Sequence, residues 1–176
     1  RYLDAIVLRT FDHAIAEEWA REASIPVING LTDLNHPCQA LSDLLTIQEK
    51  KRRLKGIKIA YVGDGNNVTN SLIEAAAKMG MTIAVGCPLG YQPDRGIVDR
   101  AREEARQTGA VIEIGADPLV DVKDADGVYR RLDQHGTGAG ASQASQDSGA
   151  LSAQRATIEM REARCAGHAL SAGSSR

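Results

Sequence analysis

Short apolar runs alternate with amphipathic runs through the first 129 residues, and this alternation restricts the fold more than any other feature of the chain. Ala5–Leu8, Ile25–Asn29, Ile57–Val62, Thr82–Gly86 and Val111–Ile114 have the length and the branched aliphatic content of buried strands. Between them, His13–Ala23, Pro37–Lys51, Asn70–Met79 and Asp94–Thr108 carry helical spacing. In the first of these, Ile15, Trp19 and Ala20 share one face, and Gly80 is placed to end the third. Asp124–Tyr129 reads as the approach to one more strand. Strands separated by helices predict an α/β fold of open parallel sheets with helices on both faces. Ligands of such sheets bind beyond the carboxyl ends of the strands.

The chain has 176 residues, enough for one domain or parts of two. Its net charge of −2 gives no reason to expect nucleic acid or an anionic membrane as a partner. Cys38, Cys87 and Cys165 are far apart and form neither a metal spacing nor an even disulfide set, so a reducing, cytoplasmic setting is expected. No segment reads as a signal peptide or as a bilayer span. The first residue is Arg1, already close to a strand, which reads as an internal start within a longer protein.

The segment Asn35-His36-Pro37-Cys38-Gln39-Ala40-Leu41-Ser42-Asp43-Leu44 puts a polar pair directly before a proline and an amphipathic run. Proline suits the first helical position because its missing N–H would be unpaired there. His36 therefore falls at a helix start, with Gln39 one turn in. Two readings stay open. Asn35 or His36 can serve only as a helix cap. Alternatively, the imidazole and the Gln39 amide can bond the carbonyl and amino groups of a ligand whose anionic end sits at the helix terminus.

A second constellation is Gly63-Asp64-Gly65-Asn66-Asn67-Val68-Thr69-Asn70-Ser71, where a strand turns into a helix. It invites comparison with a nicotinamide-dinucleotide loop of a Rossmann module. The third glycine of that fingerprint is missing, and no acidic residue follows the next strand. The glycines can instead serve a tight turn and the asparagines a helix cap. The two adjacent amides can also hold the charged groups of an amino acid.

Taken together, these residues resemble the ornithine carbamoyltransferase family. The resemblance runs from Asp4–Arg9 and Ile25–Asn29 through His36-Pro37-Cys38-Gln39 with Asp43 and Thr46, then Leu54-Lys55-Gly56, Gly63–Ser71 and Pro88–Pro93. It implies a two-domain carbamoyltransferase architecture, incomplete here. Residues 1–53 would be the end of a carbamoyl phosphate domain with its connecting helix, and 54–129 part of an ornithine domain. The implied reaction moves a carbamoyl group from carbamoyl phosphate to the δ-amine of ornithine, giving citrulline and phosphate, with no cofactor and no metal. By motif matching, Arg9, His36 and Gln39 would hold carbamoyl phosphate, Arg9 and His36 acting on the carbonyl oxygen, and Asn67 would bind ornithine. The resemblance also implies a homotrimer. A non-catalytic interaction fragment is the remaining alternative.

Residues 130–176 break the pattern. They contain no valine, lysine or aromatic residue and are dense in Ala, Ser and Gly. An irregular tail without a packed core is expected, with a short helix near Ala156–Ala163 suggested by composition. Back-translation points to a frameshift after Tyr129. Arg130-Arg131-Leu132-Asp133-Gln134-His135-Gly136 can be coded so that the frame one base later reads Asp-Val-Trp-Thr-Ser-Met-Gly. Gly167–Arg176 can be coded so that the same shifted frame reads Val-Met-His-Cys-Leu-Pro-Ala-His-Arg. Both are motifs that the resemblance leads one to expect, in the right order. The family's Ser-x-Arg-Thr-Arg phosphate loop is also not among the 176 residues. The chain as written is therefore expected to be inactive.

Overall fold

The computed structural model describes residues 2–115, 122–131 and 157–160. Strand β1 (Ile6–Arg9), helix α1 (His13–Glu22) and strand β2 (Val27–Leu31) form a β–α–β crossover unit, and β1 and β2 pair in parallel. Helix α2 (Pro37–Lys51) then leads to a second sheet. It contains β3 (Lys58–Gly63), β4 (Thr82–Gly86), β5 (Val111–Gly115), β6 (Gly127–Arg131) and β7 (Thr157–Met160) in the order β5-β4-β3-β6-β7. Helices α3 (Asn67–Met79) and α4 (Arg95–Thr108) connect β3 to β4 and β4 to β5.

The parallel α/β expectation holds for every pair except the last. β3 pairs in parallel with β4 and β6, and β4 with β5, whereas β7 runs antiparallel to β6. The short helix expected near Ala156–Ala163 is corrected here, because residues 157–160 are extended along the β6 edge. An open strand edge offers a row of unpaired N–H and C=O groups, and β-branched Thr157 and Ile158 suit that pairing better than a helix. Apart from 130–131 and 157–160, the expectation for the tail lies outside the described residues.

The core belongs to the second sheet. Ile59 and Tyr61 of β3, Ile83 and Val85 of β4, and Leu72 and Ile73 of α3 are fully covered. Helix α2 adds Leu44 and Ile47 to this core. The β1–β2 unit is different. The face of α1 that carries Ile15, Trp19 and Ala20 is exposed, and Ala16 is the residue it buries. Val7 and Ile28 on the small sheet are 67% and 45% exposed, and β2 packs against α2.

Helix α3 begins three residues earlier than its apolar spacing suggests. Asn66 is its N-cap, accepting from the N–H groups of Val68 and Thr69, and the Thr69 hydroxyl accepts from the Asn66 N–H. This reciprocal capping starts the helix at Asn67 rather than at Asn70. The chain runs outward from β3 to β4 and β5, then returns to place β6 on the other side of β3. The loop after β3 therefore stands at the point where strand order reverses, the usual ligand position of an open α/β sheet.

Candidate functional site

The candidate residues gather around the turn Thr32–His36, between the carboxyl ends of β2 and β3. Thr32 is fully buried, and its hydroxyl accepts from the Asn35 N–H at 3.1 Å and lies 2.9 Å from His13 Nδ1. The start of α3 grips the same turn. Asn67 Nδ2 donates to the Thr32 carbonyl at 2.7 Å, and Asn70 Nδ2 to the Leu34 carbonyl at 2.9 Å. The Ser71 hydroxyl accepts from the His36 N–H at 2.8 Å. Asn35 Nδ2 donates to Glu74 at 3.0 Å. These bonds join the two sheets through one polar seam.

His36 is the N-cap of α2, with Pro37 at the first helical position. Its Nδ1 accepts from the Gln39 N–H at 3.4 Å, a long but correctly directed bond. An accepting Nδ1 carries no proton, so the neutral ring holds its proton on Nε2. The cap uses Nδ1 alone, so it does not by itself exclude the ligand reading of His36.

Gln39 sits one turn into α2 and donates from Nε2 to Asp43 Oδ1 at 3.0 Å. Asp43 is buried at 6% exposure, with the Tyr129 side chain of β6 close by. Burial raises the Asp43 pKa from 3.8 to about 6, against the smaller opposing pull of the Gln39 and Tyr129 side chains. Asp43 enters the sequence reading as part of the motif that follows His36, and neither it nor Tyr129 is given a role in the site there. The available signal was the four-residue spacing of Gln39 and Asp43, which puts both on one helix face.

Arg9 closes β1 and is exposed, with its backbone in register with Leu31, the residue before the turn. Among the described residues its guanidinium has no ion-pair or hydrogen-bond partner, so no structural bond accounts for it. His36 and Gln39 are in direct contact, and Asn67 is tied to their turn through Thr32. Arg9 approaches from the neighbouring strand. Asn66 is corrected as a ligand amide, because its side-chain oxygen is committed to the cap.

The loop after β3 is poorly suited to a dinucleotide. The first N–H groups of α3 are taken by Asn66, and the Gly65 N–H donates to the Tyr91 carbonyl at 2.7 Å. A pyrophosphate would need those donors. A Cβ at Gly65 would overlap the backbone of Gln92 and Pro93, so this glycine serves close packing of the 88–93 segment. Among the described residues no group of three or more His, Cys, Asp or Glu is placed to hold a metal ion. Likewise, none of the described helices is long and apolar enough to cross a membrane.

Two family descriptions match the chain. "Aspartate/ornithine carbamoyltransferase, carbamoyl-P binding domain" matches residues 1–49, and "Aspartate/ornithine carbamoyltransferase, Asp/Orn binding domain" matches 55–145, more than half of the chain. The ornithine carbamoyltransferase of Bacillus thuringiensis subsp. konkukian (strain 97-27) is 57% identical over 129 residues. The chain belongs to the ornithine carbamoyltransferase family. That alignment covers 73% of this chain and 41% of the relative, so the chain spans about two fifths of the length of such family members. Among solved structures, ornithine carbamoyltransferase from Pyrococcus furiosus superposes with a TM-score of 0.75 at 46% identity, covering 80% of this chain and 45% of that one. The enzyme from Gloeobacter violaceus gives 0.71 at 50% identity, covering 73% and 45%.

Proposed function

We propose that this chain carries the carbamoyl-binding half-site, and part of the ornithine site, of an enzyme that converts carbamoyl phosphate and ornithine to citrulline and phosphate. The observation that carries the reading is the cap of α2 by His36 Nδ1, which would leave the proton of the neutral ring on Nε2. Attack by an amine on the carbamoyl carbon builds negative charge on the carbonyl oxygen. An Nε2–H and the Arg9 guanidinium would stabilise that charge at the end of β1 and the start of α2. The Gln39 side chain would accept from the carbamoyl amino group. The Asn67 amide has a second N–H and an oxygen beyond its Thr32 bond, and these would meet ornithine. Holding both substrates across the polar seam would supply orientation. The homotrimer and the cytoplasmic setting implied by the family are part of the same proposal.

The site can be tested on the 176-residue chain by thermal shift and by NMR. Carbamoyl phosphate in excess of its Kd should raise the melting temperature, because binding to the folded form alone stabilises it. It should also move the His36 and Gln39 side-chain signals, whereas NAD at equal concentration should do neither. A response to NAD without one to carbamoyl phosphate would favour the dinucleotide reading. We also infer the change of reading frame after Tyr129. It is supported by the two shifted-frame motifs and by relatives that align over 128 or 129 residues. Resequencing the DNA across the Tyr129 codon tests it, and a single uninterrupted frame through the present tail would count against it.

A further inference from the structure

We propose that Asp43 is a positioning residue that sets which end of the Gln39 amide faces the carbamoyl group. This deepens the function proposed above and rests on it. A glutamine amide has a donor end and an acceptor end of nearly equal size, so an unrestrained Gln39 would present either one. A carbamoyl amino group offers only N–H donors in the plane of the group, and an amide NH2 turned toward it gives no bond. The site therefore needs the oxygen of Gln39 outward.

The structure supplies a reason for that choice. Asp43 lies one turn further along α2, and its Oδ1 takes the Gln39 Nε2–H at 3.0 Å. An ionised carboxylate only accepts, so it bonds the NH2 end and repels the oxygen end. With Nε2 directed at Asp43, Oε1 is left as the free end of the amide. The carboxylate sits against the second sheet. The side chain of Tyr129 of β6 lies beside it, and the Tyr129 ring stacks on Tyr61 with centroids 5.5 Å apart and planes 19° apart. The Tyr61 hydroxyl donates to the Asp64 carbonyl at 2.9 Å, in the loop that leads to Asn67. The Gln39–Asp43 pair thus lies next to the β3–β6 pair that also supports the loop assigned to the other substrate.

A buried carboxylate with a raised pKa is costly to keep in a core, and a role beyond packing accounts for it. An apolar side chain of the same volume would pack there without that cost.

The test compares Asp43→Leu and Asp43→Asn in the 176-residue chain. Both keep a side chain of similar size in the buried position. Asparagine retains an oxygen that can accept from Gln39, while leucine removes it. The readout is the 15N–1H pair of the Gln39 side-chain amide. In the unsubstituted chain its exchange with solvent should be slowed at least tenfold relative to the exposed Gln48 and Gln107 amides. Asp43→Asn should retain most of that protection, and Asp43→Leu should abolish it while the backbone spectrum of the sheets persists. Equal protection in Asp43→Leu and in the unsubstituted chain would overturn the proposal. Adding carbamoyl phosphate separates the two claims. A Gln39 shift that weakens about tenfold in Asp43→Leu and survives in Asp43→Asn supports the positioning role. A response of equal strength in all three chains overturns it. No response in the unsubstituted chain removes the carbamoyl phosphate reading, and the exchange comparison without ligand still decides what Asp43 does to Gln39.

Discussion

His36 and Asp43 show how single side chains in this site carry two duties at once. His36 satisfies an otherwise open N–H at the start of α2 through Nδ1, and the proposed function would use its other nitrogen. His36→Ala should therefore cost about 1 kcal/mol in urea unfolding, the usual loss for a missing cap, and should also abolish the response to carbamoyl phosphate. A variant that loses stability but keeps the ligand response would leave His36 as a cap alone. Asp43 gives a prediction in pH. Its folded pKa is raised from 3.8 to about 6, so between those values the folded form holds a proton that the unfolded form has lost. The contribution is complete below 3.8 and falls away as pH rises toward 6. Denaturant midpoints measured at pH 4 and pH 7 should show a fall that is smaller in Asp43→Asn, which has no proton to lose. The motif around His36 was legible in the sequence because a proline fixes a helix start. The Asp43–Tyr129 contact was not, because its partners are far apart in the chain and meet only through the sheet.

At the level of elements, helix limits followed local chemistry wherever a cap was strong. α2 starts at Pro37 and α4 starts after Asp94, whose carboxylate accepts from the Ile97 N–H. α3 started early because Asn66 and Thr69 close a capping box that apolar spacing does not register. The loop before it depends on Gly65. Adding a methyl group there would drive it into the Gln92 and Pro93 backbone, which cannot rotate aside as a long side chain could. Gly65→Ala should destabilise the chain by roughly 1–3 kcal/mol, the range for overpacking. Calorimetry on the variant checks this, and an unchanged melting temperature would mean that the 88–93 segment moves freely. β7 was missed for a related reason. Thr157 and Ile158 are too short a run to signal a strand alone, and β7 pairs with the edge of β6.

The whole molecule is unevenly stabilised. The second sheet encloses nearly all the fully buried side chains, while β1 and β2 form a two-stranded sheet with Val7 and Ile28 uncovered. Isolated two-stranded units are marginal in water. Amide exchange should thus be slowest in β3 and β4 and fastest in β1 and β2, with α2 between them. Uniform protection across both units would contradict this order. The purified 176-residue chain should also form no citrulline from carbamoyl phosphate and ornithine above the uncatalysed rate. Its sequence contains neither the Ser-x-Arg-Thr-Arg loop nor the downstream ornithine motifs in the frame as written. Turnover in host-free preparations would overturn that expectation and the assignment of essential groups to those motifs. The sequence by itself determined the α/β class, the helix starts at strong caps and the family, because each is written in short-range patterns of polarity, proline and glycine. Only the tertiary structure decided that α3 grips the Thr32–His36 turn, that Asp43 is buried with its Oδ1 bonded to Gln39, and that Tyr129 lies beside it. Those contacts join residues distant in the chain, and their geometry exists only once β6 has returned to the far side of β3.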